Sequence, residues 1–204
     1  MTEYKFFDGD EAHVSTFEFH QYRSRAHHLE EGVHRRRLEI AAEFAILAHE
    51  RRQDAVWGQS QTLLTDLGCG DGGLLSLLKD VPNLSANGYD FTPANAAGWQ
   101  ERGVTARPLN FVDFWPVVTY ADVYVATEVL EHLTDPHQMV QRIRSRKAQL
   151  VASSPRHETV ESHDECHAWG WDMAGYAKMI EDEGFMIKEH IGTEIFQVVW
   201  AVPQ

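Results

Sequence analysis

The run Leu63-Leu64-Thr65-Asp66-Leu67 leads straight into Gly68-Cys69-Gly70-Asp71-Gly72-Gly73 and then into leucines at 74, 75 and 78. A short apolar run reads as a buried strand, and leucines at this spacing read as one face of a helix. A glycine-rich turn joining strand to helix opens a βαβ unit. That single segment therefore commits the chain to a sheet with helices packed on its faces.

The same alternation continues downstream. Ser85 to Asp90 reads as a second strand, with Pro93 in the first turn of the helix after it. Thr105 to Asn110, Ala121 to Thr127 and Gln149 to Ser153 read as three more strands. Asp135-Pro136 caps a helix carrying Met139, Val140 and Ile143, and Asp172 caps another that Gly184 closes. Phe185 to His190 and Phe196 to Val202 are separated by a short turn, so they pair as an antiparallel hairpin. The expected fold is α/β, a Rossmann-like and mostly parallel sheet with one reversed strand. Residues 61–204 form this domain. Residues 1–60 read as an N-terminal helical extension, in which Ile40, Ala41, Phe44, Leu47 and Ala48 make an apolar stripe. Ligands of such sheets sit beyond the carboxyl ends of the strands.

With 204 residues and 43% apolar composition, one domain can bury a full core. No stretch approaches the ~20 apolar residues that span a bilayer. Met1-Thr2-Glu3-Tyr4-Lys5 is too polar for a signal peptide, and two cysteines make no disulfide framework, so a cytoplasmic protein without a membrane partner is expected. A net charge of -13 disfavours nucleic acid as a partner. The local excess of arginine (Arg23, Arg25, Arg35, Arg36, Arg37, Arg51, Arg52) reads as a solvated helix face, and most of the twelve histidines as surface residues.

The acids around the glycine loop discriminate between cofactors. Gly68, Gly70 and Gly73 fit a dinucleotide fingerprint, but Asp71 would face a pyrophosphate as a like charge. S-adenosylmethionine has no phosphate and carries an ammonium and a sulfonium, which Asp66 and Asp71 favour. The glycines let the backbone approach its methionine portion closely. Asp90 follows about 20 residues on, where a carboxylate accepts from both ribose hydroxyls. Phe91 beside it can lie against the adenine.

On these residues the chain resembles the class I S-adenosylmethionine-dependent methyltransferases. Asp66-Leu-Gly-Cys-Gly-Asp-Gly-Gly is similar to their first motif, Gly88-Tyr89-Asp90 to the second, and Ala126-Thr127-Glu128-Val129-Leu130-Glu131-His132-Leu133 to the fourth-strand motif. The resemblance runs from about Leu63 to the C-terminus. It implies seven strands in the order 3-2-1-4-5-7-6 with strand seven antiparallel. It also implies a cofactor site at Asp66, Gly68, Gly70, Asp71, Asp90, Phe91, Thr127 and Glu128. Where many relatives place an acid at the end of the third strand, this chain has Asn110, whose carbonyl oxygen can accept from the adenine amino group.

Glu128, Glu131 and His132 lie within five residues at the rim where the transferred methyl belongs. Together they can converge on a divalent cation if a further ligand arrives from elsewhere, and His167 is the candidate. It sits in the polar loop 155–170, which also holds His157, His163 and Cys166. Similar Glu-x-x-Glu-His segments occur in ubiquinone-pathway O-methyltransferases and in small-RNA 2′-O-methyltransferases. That resemblance implies Mg²⁺, Zn²⁺ or another divalent metal on Glu128, Glu131, His132 and His167, lowering the pKa of an acceptor hydroxyl. Many class I enzymes carry the same segment with no known metal. In that alternative His132 is the general base, with Glu128 and Glu131 beside it. Transfer from a sulfonium is an in-line displacement that needs mainly a positioned acceptor.

The function expected is methyl transfer to a small-molecule acceptor, at oxygen. RNA 2′-O-methylation and a non-catalytic cofactor-binding module are the alternatives. In the extension, Tyr22 or Arg25 can reach the methionine carboxylate if residues 1–60 act as a lid. Trp169 and Trp171 read either as an acceptor wall or as core.

Overall fold

The computed structural model describes residues 2–6, 17–55 and 60–204. The rest of the sequence-defined extension, residues 1, 7–16 and 56–59, lies outside the described residues. Seven strands form the main sheet: β2 (Thr62–Leu67), β3 (Leu84–Asp90), β4 (Ala106–Pro108), β5 (Val123–Thr127), β6 (Gln149–Pro155), β8 (Phe185–Gly192) and β9 (Phe196–Pro203). Their order is β4-β3-β2-β5-β6-β9-β8, which is 3-2-1-4-5-7-6 when only these strands are counted. β2, β3, β4, β5 and β6 pair in parallel, and β9 runs antiparallel to both β6 and β8. The fold is the Rossmann-like methyltransferase arrangement expected from the alternating pattern.

Helices α2 (Gly32–Ala55) and α3 (Gly73–Leu78) cover one face of the sheet; α5 (Pro136–Ser145) and α6 (Met173–Asp182) cover the other. The period of two along β5 separates the two cores. Val123 and Val125 pack with Ile40, Phe44 and Leu75, whereas Tyr124 and Ala126 pack with Val140, Ile143 and Ile180. Each large aliphatic or aromatic side chain buried this way contributes about 1.5–3 kcal/mol. The expected caps form: the Asp135 carboxylate accepts from Gln138 N (2.8 Å) and that of Asp172 from Gly175 N (2.6 Å). Gly184 turns the chain after α6 at φ 82°.

Three features go beyond the sequence reading: two depart from it, and the tryptophans decide between its alternatives. The extension is not wholly helical, because Glu3–Lys5 is a strand, β1, pairing antiparallel with β7 (Trp169–Trp171). Its partner lies more than 160 residues away, so no local pattern could reveal it. Trp171 is fully buried in the core, and Trp169 stacks beside it with ring centroids 6.2 Å apart. Both are packing residues rather than cleft walls. Third, Arg37 is buried, 1% exposed, and not part of a solvated face. Among the described residues no helix is long and apolar enough to cross a membrane.

Candidate active site

A cleft of about 900 Å³ opens at the carboxyl ends of β2, β3, β5 and β6. Asp66, Gly68, Gly70, Asp71, Asp90, Phe91, Asn110, Thr127, Glu128, His132 and His167 all line it, so the sequence-derived site residues converge except for Glu131, which lies fully buried behind the wall. Eight of the twelve histidines line this one cleft.

The glycine loop is shaped by close approach. Gly68 takes φ 71°, and a Cβ there would stand 2.6 Å from Val129 Cγ2. Gly70 donates its N–H to Asp90 Oδ2 (3.0 Å), while Asp90 Oδ1 accepts from Thr92 N (2.8 Å) and Asn95 Nδ2 (3.1 Å). Asp90 therefore ties the end of β3 to the loop; Oδ1 already accepts two bonds, and Oδ2, which accepts one, keeps a further lone pair. Asp66 is 1% exposed, and its Oδ1 has no hydrogen-bond partner. Burial, and then the Asp90 charge, push its carboxyl well above the ordinary value, with Arg37 opposing. Asn110 Oδ1 accepts from Val112 N (3.1 Å).

Residues 20–31 run across the cleft, with His20, Arg25 and Ala26 bonded at this end. His20 Nδ1 meets Thr92 Oγ1 (2.9 Å), and its ring lies 4.3 Å from that of Phe91. Ala26 N donates to Asn95 Oδ1 (2.9 Å). The Asp71 carboxylate accepts from Arg25 Nε (3.0 Å) and Arg102 Nη2 (2.8 Å). Asp71 is thus neutralised by two guanidiniums, and Arg25 is held by Asp71 and Glu101. Tyr22 is 86% exposed and does not line the cleft.

Just beyond β5, Glu128 adopts φ 55°, an uncommon conformation for a side-chain-bearing residue. Three contacts hold it there: its N–H donates to Ser153 O (3.2 Å), its Oε1 accepts from Ser153 Oγ (2.8 Å), and Arg37 Nη1 stands 3.2 Å away. Arg37 reaches this point from α2, with the Phe196 ring 4.9 Å from its guanidinium and His28 Nδ1 3.3 Å from Nη2. It lies among the charges of Glu131, Asp66 and Glu31. Burial lowers it to about 10, so it stays a cation at neutral pH.

At the opposite end Glu131, His132 and His167 come together, their ligating atoms all within 4.8 Å of one another. The first two sit on a 3-10 turn, Leu130–His132. The loop bearing His167 is tied to that turn by Ala168 N donating to Glu131 O (2.7 Å). His132 Nδ1 donates to the Cys166 carbonyl (3.0 Å), and His167 Nδ1 meets both oxygens of Glu158 (2.8 Å). With hydrogen on Nδ1, each ring carries its lone pair on Nε2. Both Glu131 oxygens are buried without a hydrogen-bond partner. Burial raises the Glu131 carboxyl, against the pull of His167. Burial, and then His167, lower His132 to about 4. Burial also works against His167, but Glu158 and Glu131 hold it above its ordinary value. Glu128, turned onto Ser153 and Arg37, stands outside this group.

Sequence reasoning missed Arg37, Ser153, Glu158 and Asn95. The first carries no local sign of burial, since it stands in an Arg-Arg-Arg run; the others become functional only through contacts made across the fold.

A methyltransferase-domain family model matches residues 32–182, about three quarters of the chain. The chain belongs to this family and is a class I S-adenosylmethionine-dependent methyltransferase, with S-adenosylmethionine as its cofactor. The match begins at the first residue of α2. Among solved structures, the chain is similar to the magnesium protoporphyrin IX methyltransferase of Synechocystis PCC 6803 with bound S-adenosylmethionine (14% identity, 96% of this chain and 98% of that one, TM-score 0.64). It is also similar to the [4+2]-cyclase SpnF (11%, 98% and 86%, TM-score 0.65). A third likeness is to the O-methyltransferase NcsB1 of neocarzinostatin biosynthesis, in complex with S-adenosylmethionine and a naphthoic acid (18%, 79% and 56%, TM-score 0.57). At these identities the likeness is one of fold; the cyclase on the same framework illustrates that fold leaves the reaction open. No curated protein matches the chain.

Proposed function

We propose that this enzyme methylates a hydroxyl oxygen of a small-molecule acceptor bound beside Glu131, His132 and His167. The observation that carries the reading is the Glu131 carboxylate, buried with no hydrogen-bond partner and facing two imidazoles whose Nδ1 atoms are tied to oxygen acceptors. Leaving a buried carboxylate unpaired is costly, and a two-histidine, one-carboxylate set oriented by outer hydrogen bonds suits a divalent ion. When bound, such an ion lowers the pKa of an adjacent acceptor hydroxyl. Without an ion, His132 is the group to take the proton; burial keeps its ring neutral but, by lowering it to about 4, makes it a weak base, which favours the ion-assisted route. Glu128 then borders the cofactor end, oriented by Ser153 and Arg37.

Asp90 and the glycine loop would hold the adenosine and methionine portions, with Asp66 facing the cationic part. Residues 20–31 serve as the lid of the 1–60 extension; their bonds to Asp71, Thr92 and Asn95 support that role. A small acceptor accords with the chain's net charge of -13, which opposes a polyanion, and with the naphthoic acid bound to the fold relative NcsB1.

The test combines metal analysis after exhaustive desalting with methyl transfer to catechol, for the parent and for Glu131→Ala and His167→Ala. We expect one divalent ion per parent chain, none in either variant, and labelled methyl on catechol oxygen only in the parent. Equal transfer by all three proteins would remove the cluster from the mechanism.

A further inference from the structure

Carboxylates dominate the cleft wall, and most already have partners within the chain. Asp71 is met by Arg25 and Arg102, Glu128 by Arg37, and Glu158 by His167. Two arginines line the same wall, Arg23 and Arg25. Arg25 is consumed by Asp71 and Glu101. Arg23 differs. It is exposed, its backbone N–H closes the turn after α1 (Phe17–His20) by donating to His20 O (3.2 Å), and its guanidinium rests 5.3 Å from the Phe19 ring. Among the described residues no carboxylate pairs with it. It lines the cleft together with His132 and Cys166, residues of the acceptor end.

We propose that Arg23 is an anion-recognition residue of the acceptor site, so that the preferred acceptor carries a carboxylate as well as the hydroxyl to be methylated. A chain of net charge -13 repels an anionic acceptor. A planar guanidinium on the cleft wall offsets that repulsion locally and orients the carboxylate through paired hydrogen bonds. Its aromatic neighbour Phe19 limits the orientations of the guanidinium. The inference rests on the acceptor-methylation reading above, and binding is measured separately from turnover so that the two can fail independently.

The probes are 3,4-dihydroxybenzoate and catechol, which differ only by the carboxylate. Both are titrated into the full chain saturated with S-adenosylhomocysteine, for the parent, Arg23→Ala, Arg23→Lys and Arg23→Glu, with Arg35→Ala as a surface control. We expect the parent to bind the acid at least tenfold more tightly than catechol. That ratio should fall to about one in Arg23→Ala, recover partly in Arg23→Lys, invert in Arg23→Glu, and shrink as salt rises. A parent that binds the two probes alike, or binds neither, overturns the inference. So does a loss in Arg23→Ala confined to S-adenosylhomocysteine, since the carboxylate recognised would then be the cofactor's. Acid-selective binding with no methyl transfer to either probe would leave Arg23 as assigned and sink the O-methylation reading instead.

Discussion

At the glycine-loop end of the cleft, polar side chains are largely partnered within the protein; at the acceptor end, the central carboxylate is not. Asp90 accepts three hydrogen bonds and Asp71 is clasped by two arginines, whereas both oxygens of Glu131 are buried and bare. The first end is preorganised: hydrogen bonds and ion pairs within the chain already pin the loop, so little would reorder if the cofactor is held there as proposed. The second is built to receive something, because an orphaned carboxylate costs stability until a cation or a proton reaches it. Between the two stands Arg37, the buried cation that balances Glu128 directly and Asp66 and Glu131 through space.

The comparison can be broken most forcefully at that midpoint. Replacing Arg37 by Met leaves the buried Asp66 and Glu131 and the half-buried Glu128 without their cation and should destabilise the chain by about 3–5 kcal/mol, read by urea unfolding. Adding Glu128→Gln should restore part of the loss; simple additivity of the two changes would dissolve the proposed pairing. Asp90→Ala removes the pin of the preorganised end. We expect S-adenosylhomocysteine affinity to drop on the order of 100-fold, about 3 kcal/mol, by calorimetric titration. A change under threefold would show that the loop holds its shape without it.

Glu131→Gln probes the other end with the opposite sign on stability. Removing a buried, unpartnered charge should leave the melting temperature unchanged or slightly raised at pH 8, by about 1 kcal/mol at most, while retained metal is lost. A sharp destabilisation would reveal a structural partner for the carboxylate. The last test concerns His28, which burial, and then Arg37, lower from 6.5 to about 4. Below 6.5 the unfolded chain binds a proton that the folded chain refuses, so stability is full above 6.5 and falls as pH drops towards 4. Melting curves between pH 7 and 4.5 should show this slope, shallower in His28→Asn; an identical slope in both would assign it elsewhere.

Much of the cofactor end was legible from residues close together in the chain. The strand-loop-helix signal at Leu63 to Leu78, the acid at Asp90 and the terminal hairpin are local patterns. Each survives in the structure because backbone period, glycine conformation and capping act over a few residues. Arg37 was misread for the same reason. In an arginine run the sequence carries no mark of which side chain faces inward, and only packing of α2 on the sheet, at residues such as Ile40 and Phe44, turns that one into the core. The pairing of β1 with β7 was equally invisible, since it is made between distant segments.

The sequence by itself determined the α/β alternation, the strand that the hairpin reverses, and the placing of the acids Asp66, Asp71 and Asp90 at one end of the sheet. Tertiary structure alone decided which of the candidate ligands meet: Glu131, His132 and His167 do, while Glu128 is drawn to Ser153 and Arg37. The reason is physical. Local propensities fix the course of the backbone, but the direction of a long charged side chain is settled by the nearest opposite charge or buried donor, and that neighbour is supplied by whichever distant element the fold packs against it.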